Sequence, residues 1–570
     1  MAVEFQPSVA IFFAADAYSE AHGRSGVKEG PAGLMGRQVA GKEFLDGYLE
    51  HGNWESLTAV VRTRERADPL IQLCQEHLSS REKPRRLLIQ PEADFLTEFA
   101  QAKPPARIVH FPCPMDARYA WARQAIDGRY ALSGVTHTLS TISVTKALCD
   151  LVSAPFEPFD ALICTSRAVV SMVREVTGSY ADFLADRFGG TRPALPRLEM
   201  IPLGVNPTRF RPATMAERQA ERAGFGIADD EIMVLCVGRL SHHAKAHPYP
   251  AFYAAEEATR RTGKKVVLVF AGWAAHPAID KAFRDGARQF ARLSRVLFVD
   301  GVDPIVRTGV WRAADVFLSL PDNIQETFGL VVVEGMSSGL PVVGSDWDGY
   351  RDLVVEGETG FLVSTAMLQG ATQGATVRLL FGQSSYDRFL GECCQTVTVD
   401  LRSAADALTK LVEDSELRSR MGAAGRARVI ERFTWAHVIR SYETLWREQE
   451  REVRAWKQRR SAPAPANYPP PETSFVGYPT TWLTEENCVR TGAGAEVSLD
   501  TYLTLPLTNM VNDRRCSDRA ILLRLLQLAN EPRTIGALTQ DLESSGIEGS
   551  IARSTIAWLM KYGLLTITEN

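Results

Sequence analysis

The chain has 570 residues, 45% of them hydrophobic and 23% charged, with a formal net charge of −4. That length allows three or four domains, and the near-neutral balance excludes a general electrostatic attraction to nucleic acid or to anionic membrane. Nine cysteines lie scattered, with no CxxC pair and no Cys/His cluster at metal-ligand spacing, so they read as reduced, buried thiols of a cytoplasmic protein.

In chain order, the first stretch, "MAVEFQPSVAIFFAADAYSE", lacks a basic start, and its apolar run is too short for a signal peptide or an anchor. No stretch approaches about 18 apolar residues, so any membrane contact is expected to be peripheral. Short apolar runs stand at 9–15, 86–90, 107–111, 161–166 and 198–204, and a second set at 232–239, 265–272, 295–301, 316–321 and 341–346. Continuous runs, separated by helical patterns, predict strands buried on both faces in parallel sheets with helical crossovers. Two such sets predict two doubly wound, Rossmann-like α/β domains, 1–205 and 206–445, with ligands bound at the carboxyl ends of the strands along an inter-domain cleft.

Residues 366–398 interrupt the second set as an insertion, an elaborated loop or an extra helix. Residues 446–475 carry a helix end and a proline-rich linker. The basic run 451–460 is read as a solvated helix face; Trp456 among its charges also suits it to an anionic surface. Residues 476–570 predict three short amphipathic helices and a strand, a small winged-helix-like module. Seven basic and seven acidic residues balance over 501–570, and the third helix offers only Arg553 and Lys561. Nucleic-acid binding is therefore not expected, and the module is assigned to protein interaction or dimerisation.

The chemistry concentrates in "NIQETFGLVVVEGMSSGLPVV", residues 323–343. A strand runs into a loop, and a short helix follows that ends at Gly339 and Pro341. The start of that helix offers the N–H groups of Phe328, Gly329 and Leu330 to an anion, and Gly329 lets a ligand approach the backbone. Glu326 and Glu334 stand eight positions apart. A helical separation of that length gives about 12 Å of rise, more than the roughly 5–9.5 Å of a glycosidase pair. They read instead as two handholds on one long ligand, Glu326 near the reactive end and Glu334 where a ribose diol would lie. Asp322, Asn323 and Gln325 make the approach to Glu326 polar, as reading sugar hydroxyls would require.

Earlier, "VLCVGRLSHHAKAHPYP" ends a strand at Gly238-Arg239, with Lys245 six residues on. Arginine binding two oxygens and lysine as a mobile point charge suit a diphosphate. His242 and His243 are expected in an exposed loop, with no metal role, and Ser166 as a helix N-cap rather than a nucleophile. Asp346 and Asp348 suit either sugar or nucleobase binding or the capping of the turn that follows.

Taken together, the motifs resemble the retaining glycosyltransferases of family 4, with GT-B architecture. "VGRLSHHAK" (237–245) resembles that family's Gly-Arg-Leu…Lys element, and "ETFGLVVVE" (326–334) its E-x7-E motif. "GLPVVGSDWDGYRDLVVEGETGFLV" (339–363) resembles the segment after it, and "MIPLGVNPTRFRP" (200–212) the hinge-side motif. "GPAGLMGRQVAG" (30–41) resembles the Gly-rich loop after the first strand, and "GVTHTLST" (134–141) the histidine-bearing segment. The resemblance runs over residues 8–445 and leaves out the linker and the last module. In two places the chain departs from the pattern: Ala246 stands where glycine commonly follows the lysine, and 366–398 has no counterpart.

The resemblance implies transfer of a hexose from a nucleoside diphosphate sugar to an acceptor hydroxyl, with retention and without a metal or other cofactor. It implies that Arg239 and Lys245, at the strand end with Gly238, hold the diphosphate, and that Glu334 grips the ribose. Glu326 and the backbone at Phe328, Gly329 and Leu330 would meet the sugar, and His137 would face it across the cleft. The loop at Gly33 and Gly36 would approach the phosphates or the acceptor, and His110, at a strand end, would touch the acceptor. The setting would be cytoplasmic, or peripheral at the inner membrane face, in glycan or glycolipid synthesis. The alternative is a nucleotide-sugar sensor with 476–570 as its output; phosphorolysis on the same fold is a third reading.

Overall fold

The computed structural model describes residues 7–18, 36–78, 85–92, 94–95, 106–125, 128–456, 469–510 and 515–568. Gly33 and most of the proline-rich linker lie outside them. Residues 469–570 form a compact unit of their own.

The first sheet has seven parallel strands: β1 (Val9–Phe12), β2 (Ser56–Val61), β3 (Arg86–Pro91), β4 (Ile108–Phe111), β5 (Ala131–Val135), β6 (Ala161–Cys164) and β7 (Arg197–Met200), in the order β3-β2-β1-β4-β5-β6-β7. The second has six: β8 (Glu231–Val237), β9 (Lys265–Gly272), β10 (Arg295–Asp300), β11 (Val316–Ser319), β12 (Val342–Ser345) and β13 (Gly360–Val363), in the order β10-β9-β8-β11-β12-β13. Both are wound by helices, as the apolar runs and the GT-B resemblance lead one to expect. In each sheet the order reverses beside the first strand, between β1 and β4 and between β8 and β11, and a crevice opens at such a switch point.

Three strands of these two sheets, β2, β5 and β13, were not foreseen. β5 reads ALSGV because the loop after β4 crosses directly over it. A Cβ on Gly134 would stand 2.5 Å from the Cys113 carbonyl oxygen, so the position excludes the β-branched residues that announce a buried strand.

The boundary expected at 445 falls earlier. The chain leaves the second domain at Thr434, and the helix Trp435–Ala455 packs on the first domain. Trp446 is fully buried there and donates to Ser133 Oγ at 3.2 Å, and Gln449 donates to the Leu132 and Phe159 carbonyls at 3.0 and 2.8 Å. Trp456 packs edge-on against Phe159, so the tryptophan of the basic run serves packing.

The outgoing and returning chains run side by side, with Val205 N–H donating to the Phe433 carbonyl at 2.8 Å. Trp435 sits in a slot that two glycines keep open. A Cβ on Gly204 would lie 2.5 Å from the Trp435 indole, and one on Gly47 2.9 Å from it. Gly204→Ala is therefore expected to destabilise the protein by about 1–3 kcal/mol in chemical denaturation; an unchanged midpoint would rule out this packing.

The 366–398 insertion is a small subdomain. β14 (Thr365–Met367) and β15 (Val397–Val399) pair antiparallel and enclose the helices Gln373–Leu380 and Tyr386–Cys394. Phe389 and Cys393 seat it against Ile324, in the loop after β11.

The 469–570 unit has its own core, including Val489, Leu522, Leu538 and Leu559. The three predicted helices are Arg519–Leu528, Ile535–Ser544 and Gly549–Lys561. The central strand of its sheet, β16 (Cys488–Thr491), and the helix Ala495–Thr504 come in addition. β16 lies between β17 (Arg533–Thr534) and β18 (Leu565–Ile567). Among the described residues no helix is long and apolar enough to cross a membrane.

Candidate active site

The site forms where β8 and β11 end, at the switch point of the second sheet. After β11 the chain cannot continue as strand and is stapled instead. Asn323 is buried and works in both directions: its amide donates to the Lys245 carbonyl, and its Oδ1 accepts from Gln325 N–H at 2.9 Å and Glu326 N–H at 3.3 Å. Asp322, also buried, accepts from His247 N–H at 3.1 Å. Sequence reasoning had given Asp322 and Asn323 to sugar hydroxyls; the structure uses both to lock the 239–247 loop to the 322–327 loop.

That lock brings the charged residues together. Lys245 Nζ lies 3.1 Å from Glu326 Oε2, and Arg239 Nη2 lies 3.5 Å from Gln325 Oε1. Burial alone would raise the Glu326 pKa, but the Lys245 ammonium and the N–H groups of Thr327 and Phe328 bring it below the ordinary carboxylate value. One of the three N–H groups expected for an external anion, that of Phe328, thus already has a carboxylate to hold. The Phe328 ring is buried in the core, so only its backbone faces the loop. Gly329 stands at φ 100 as the N-cap of the helix Leu330–Ser337.

A Cβ on Gly329 would meet Tyr350 at 2.5 Å, and that ring is fixed by a 2.8 Å bond between the Tyr350 and Ser319 hydroxyls. Gly329→Ala should therefore lower stability by about 1–3 kcal/mol and misplace Glu326. Thermal unfolding checks the first effect and ligand affinity the second. Gly349 packs equally close: its Cβ would lie 2.6 Å from Phe328 Cα. The 326–330 and 348–350 segments are interlocked.

Glu334, on the helix, is nine-tenths buried. Burial, reinforced by the Glu43 carboxylate and opposed by Arg209 and Arg307, pushes its pKa up to about 8. Glu43 comes from the first-domain helix Gly36–His51 and is raised to about 7, mainly by burial, with Arg209 3.6 Å away. Sequence reasoning missed Glu43, Arg209 and Arg307. Arg209 lay in the hinge-side motif, whereas nothing in the helix marks Glu43. Gly36 is the first residue of that same helix.

From the first domain, the His137 carbonyl accepts from Thr327 Oγ1, and Ser166 Oγ donates to the Thr327 carbonyl at 2.8 Å. Ser166 also accepts from Val169 N–H, the N-cap expected of it. His137 therefore lies beside the Glu326 loop. His110 does not reach the cleft, so the expected acceptor contact is corrected. It is 1% exposed, 2.7 Å from Ser133 Oγ, and enclosed by the rings of Phe44, Tyr442 and Trp446. Burial, with the nearby His137, lowers its pKa to about 3 and keeps it neutral. A residue at a strand end faces either cleft or core, and the returning helix, far off in sequence, decided for core.

The insertion joins the site from the other side. Tyr386 Oη lies 2.6 Å from Ser140 Oγ, three residues after His137. His242 and His243, expected as exposed loop residues, are half-buried and line a cavity of ≈ 470 Å³ with Asp387 and Arg388 of the helix Tyr386–Cys394 and with Gln395 just after it. Among the described residues no cluster of His, Cys, Asp or Glu could hold a metal ion.

Comparison with known proteins adds the following. Residues 231–380 match the family described as Glycosyl transferases group 1. The chain is 28% identical over 321 residues to the D-inositol 3-phosphate glycosyltransferase of Nocardia farcinica, across 55% of this chain and 62% of that protein. It is 30% identical over 157 residues to the phosphatidyl-myo-inositol mannosyltransferase of Mycobacterium leprae, across 27% of this chain and 33% of that protein. The chain thus spans less than two thirds of the curated relatives it matches. Among solved structures it is similar to Anabaena HepE in complex with UDP and glucose, at 15% identity and a TM-score of 0.46 over 77% of this chain and 99% of that one. It is also similar to a sucrose-phosphate synthase from Thermosynechococcus elongatus, at 17% identity and a TM-score of 0.45 over 78% of this chain and 99% of that one.

Proposed function

Starting from the glycosyl transferases group 1 domain at residues 231–380, we propose that this chain transfers a hexose from a nucleoside diphosphate sugar to an acceptor hydroxyl, with retention of configuration. The observation that carries the reading is the Lys245–Glu326 ion pair beside Arg239 at the β8/β11 switch point. A diphosphate entering there meets Arg239 and Lys245 and needs no metal to stabilise its departure. Lys245 exchanges part of its attraction for Glu326 for the phosphate, and the freed carboxylate accepts from sugar hydroxyls. Glu334, once it loses its proton, takes the ribose. His137 faces the sugar from the first domain, and the acceptor attacks from the face the diphosphate leaves. Closure of the two domains over the site excludes water and limits donor hydrolysis.

The relatives are named for inositol phosphate and phosphatidyl-inositol substrates, which favours a polyhydroxylated or lipid-linked acceptor for this chain too. The setting would be cytoplasmic or peripheral at a membrane. The 469–570 unit would serve as a protein-interaction module: Val497, Leu507 and Met510 are each at least 85% exposed. Those side chains are also what favours the second reading, a sensor that binds nucleotide sugar without turning it over.

A metal-free screen of UDP-, GDP- and ADP-sugars by thermal shift and donor hydrolysis, on wild type and Glu326→Ala, tests the proposal. One donor should bind and be slowly hydrolysed, with hydrolysis lost in the variant. Binding without turnover, even with acceptors supplied, would favour the sensor. No binding at all would end both readings.

A further inference from the structure

Asp348 combines three features that structure alone does not reward. It is the one described non-glycine residue at positive φ, 38°. A side chain there is strained, and such strain persists where the surroundings impose it, most often at functional sites. Its Oδ2 is covered by protein and has no hydrogen-bond partner. A buried polar atom left unpaired works against folding. Finally, it lies at the proposed donor site: the Glu326 and Lys245 charges both act on it, and Gly349 after it packs on the Phe328 backbone.

The local structure does not need the whole group. Oδ1 accepts from the Gly349 N–H, and the Tyr350 N–H also acts on the carboxyl, which closes the turn. Glycine at 348 would adopt the same backbone without strain. What the aspartate adds is its second oxygen, beside the carboxylate that the proposed function gives to the transferred sugar.

We propose that Asp348 is a donor-sugar specificity residue, its side chain turning as the donor enters to bring Oδ2, covered in this structure, to a sugar hydroxyl adjacent to the one held by Glu326. The inference rests on the transferase reading above. The two groups are chemically complementary. Glu326 is held ionised by Lys245 and can only accept. Asp348, raised well above the usual carboxylate range by burial and by the Glu326 charge, is biased toward its protonated form, which can donate. An acceptor next to a donor matches two neighbouring hydroxyls, of which one gives its proton and the other receives one. Of the groups packed around Asp348, Tyr350 is itself neutral and bonded to Ser319, so it does not compete for Oδ2.

The test uses the full chain and two sets of probes: UDP, GDP and ADP alone, and UDP-glucose, UDP-galactose, UDP-N-acetylglucosamine, GDP-mannose and ADP-glucose. Calorimetry gives the sugar increment, the affinity of the preferred nucleotide sugar relative to its own nucleoside diphosphate. Asp348→Gly should melt no lower than wild type, because strain and an orphan atom are removed together. It should bind the nucleoside diphosphate within about twofold and lose about tenfold of the sugar increment, the weight of one hydrogen bond to a buried group. Asp348→Asn, with a donor and an acceptor on the same skeleton, should keep most of it.

An unchanged increment in Asp348→Gly overturns the proposal, as does an equal loss of bare nucleotide and nucleotide sugar, the mark of a purely structural role. If wild type binds no nucleoside diphosphate, the transferase reading fails first and takes this role with it. Nucleotide binding with an unchanged increment refutes Asp348 alone.

Discussion

Replacing Lys245 with methionine should lower the rate of sugar transfer about 10²–10³-fold, the effect of removing one preorganised charge-stabilising group. Two losses coincide. The departing diphosphate loses one of its cations, and Glu326 loses the ammonium 3.1 Å away that keeps it ionised. Without it burial is opposed only by the Thr327 and Phe328 N–H groups, and the Glu326 pKa rises. The variant should therefore regain part of its activity as pH rises, whereas wild type, with Glu326 already ionised, should show no such gain from this group. Single-turnover assays across pH with the preferred donor would show this. A variant changed only in KM, at every pH, would mean that Lys245 contributes uniform binding and does not act on the departing group.

Nucleotide affinity should fall about tenfold for each pH unit below about 8, because Glu334 must release its proton before it can accept from a ribose diol. Titrations of the preferred nucleoside diphosphate at pH 6.5 and 8.5 check this, and Glu334→Gln should flatten the dependence while weakening binding throughout. The same burial has an opposite consequence for stability. Glu43 and Glu334 have folded-state values of about 7 and about 8 against an ordinary 4.5, so the folded chain holds more protons than the unfolded one between those limits. Unfolding then releases protons, and this part of the stability is full near pH 4.5 and is lost as pH climbs through 7 to 8. Glu43→Gln, which cannot ionise, should raise the melting temperature at pH 8.5 by more than at pH 6. An equal change at both would mean that Glu43 is already ionised in the folded chain at pH 6, so that burial does not raise its pKa.

Much of this site is legible in the sequence because two kinds of signal overlap there. β8, β9 and β11 are continuous apolar runs, and the helix after Glu326 is bracketed by Gly329, Gly339 and Pro341, residues whose conformational roles are local. Local rules therefore place Arg239, Lys245, Glu326 and Glu334 without knowledge of the fold. What escaped depends on distant chain. Asp322 and Asn323 look the same whether they face sugar or a neighbouring loop, and only the path of residues 239–247 decides. His110 needed the helix that returns more than three hundred residues later. Glu43 sits in a helix with no motif and matters only because another domain closes on it. The strain at Asp348 is a property of backbone angle, which composition does not reveal.

The single bridge between Val205 and Thr434 has a consequence for how the molecule is made. The second domain is nested inside the first: it enters and leaves at one point, so residues 206–433 form a continuous, excisable piece. The first domain is discontinuous. Trp446, Gln449 and Glu450 complete its interior, and they emerge from the ribosome only after the entire nested domain. A nascent chain cut at residue 205 is an open sheet without its closing helix. Synthesis should therefore yield a folded second domain before the first is finished, and the domain whose strands are made first is the later of the two to reach its native state.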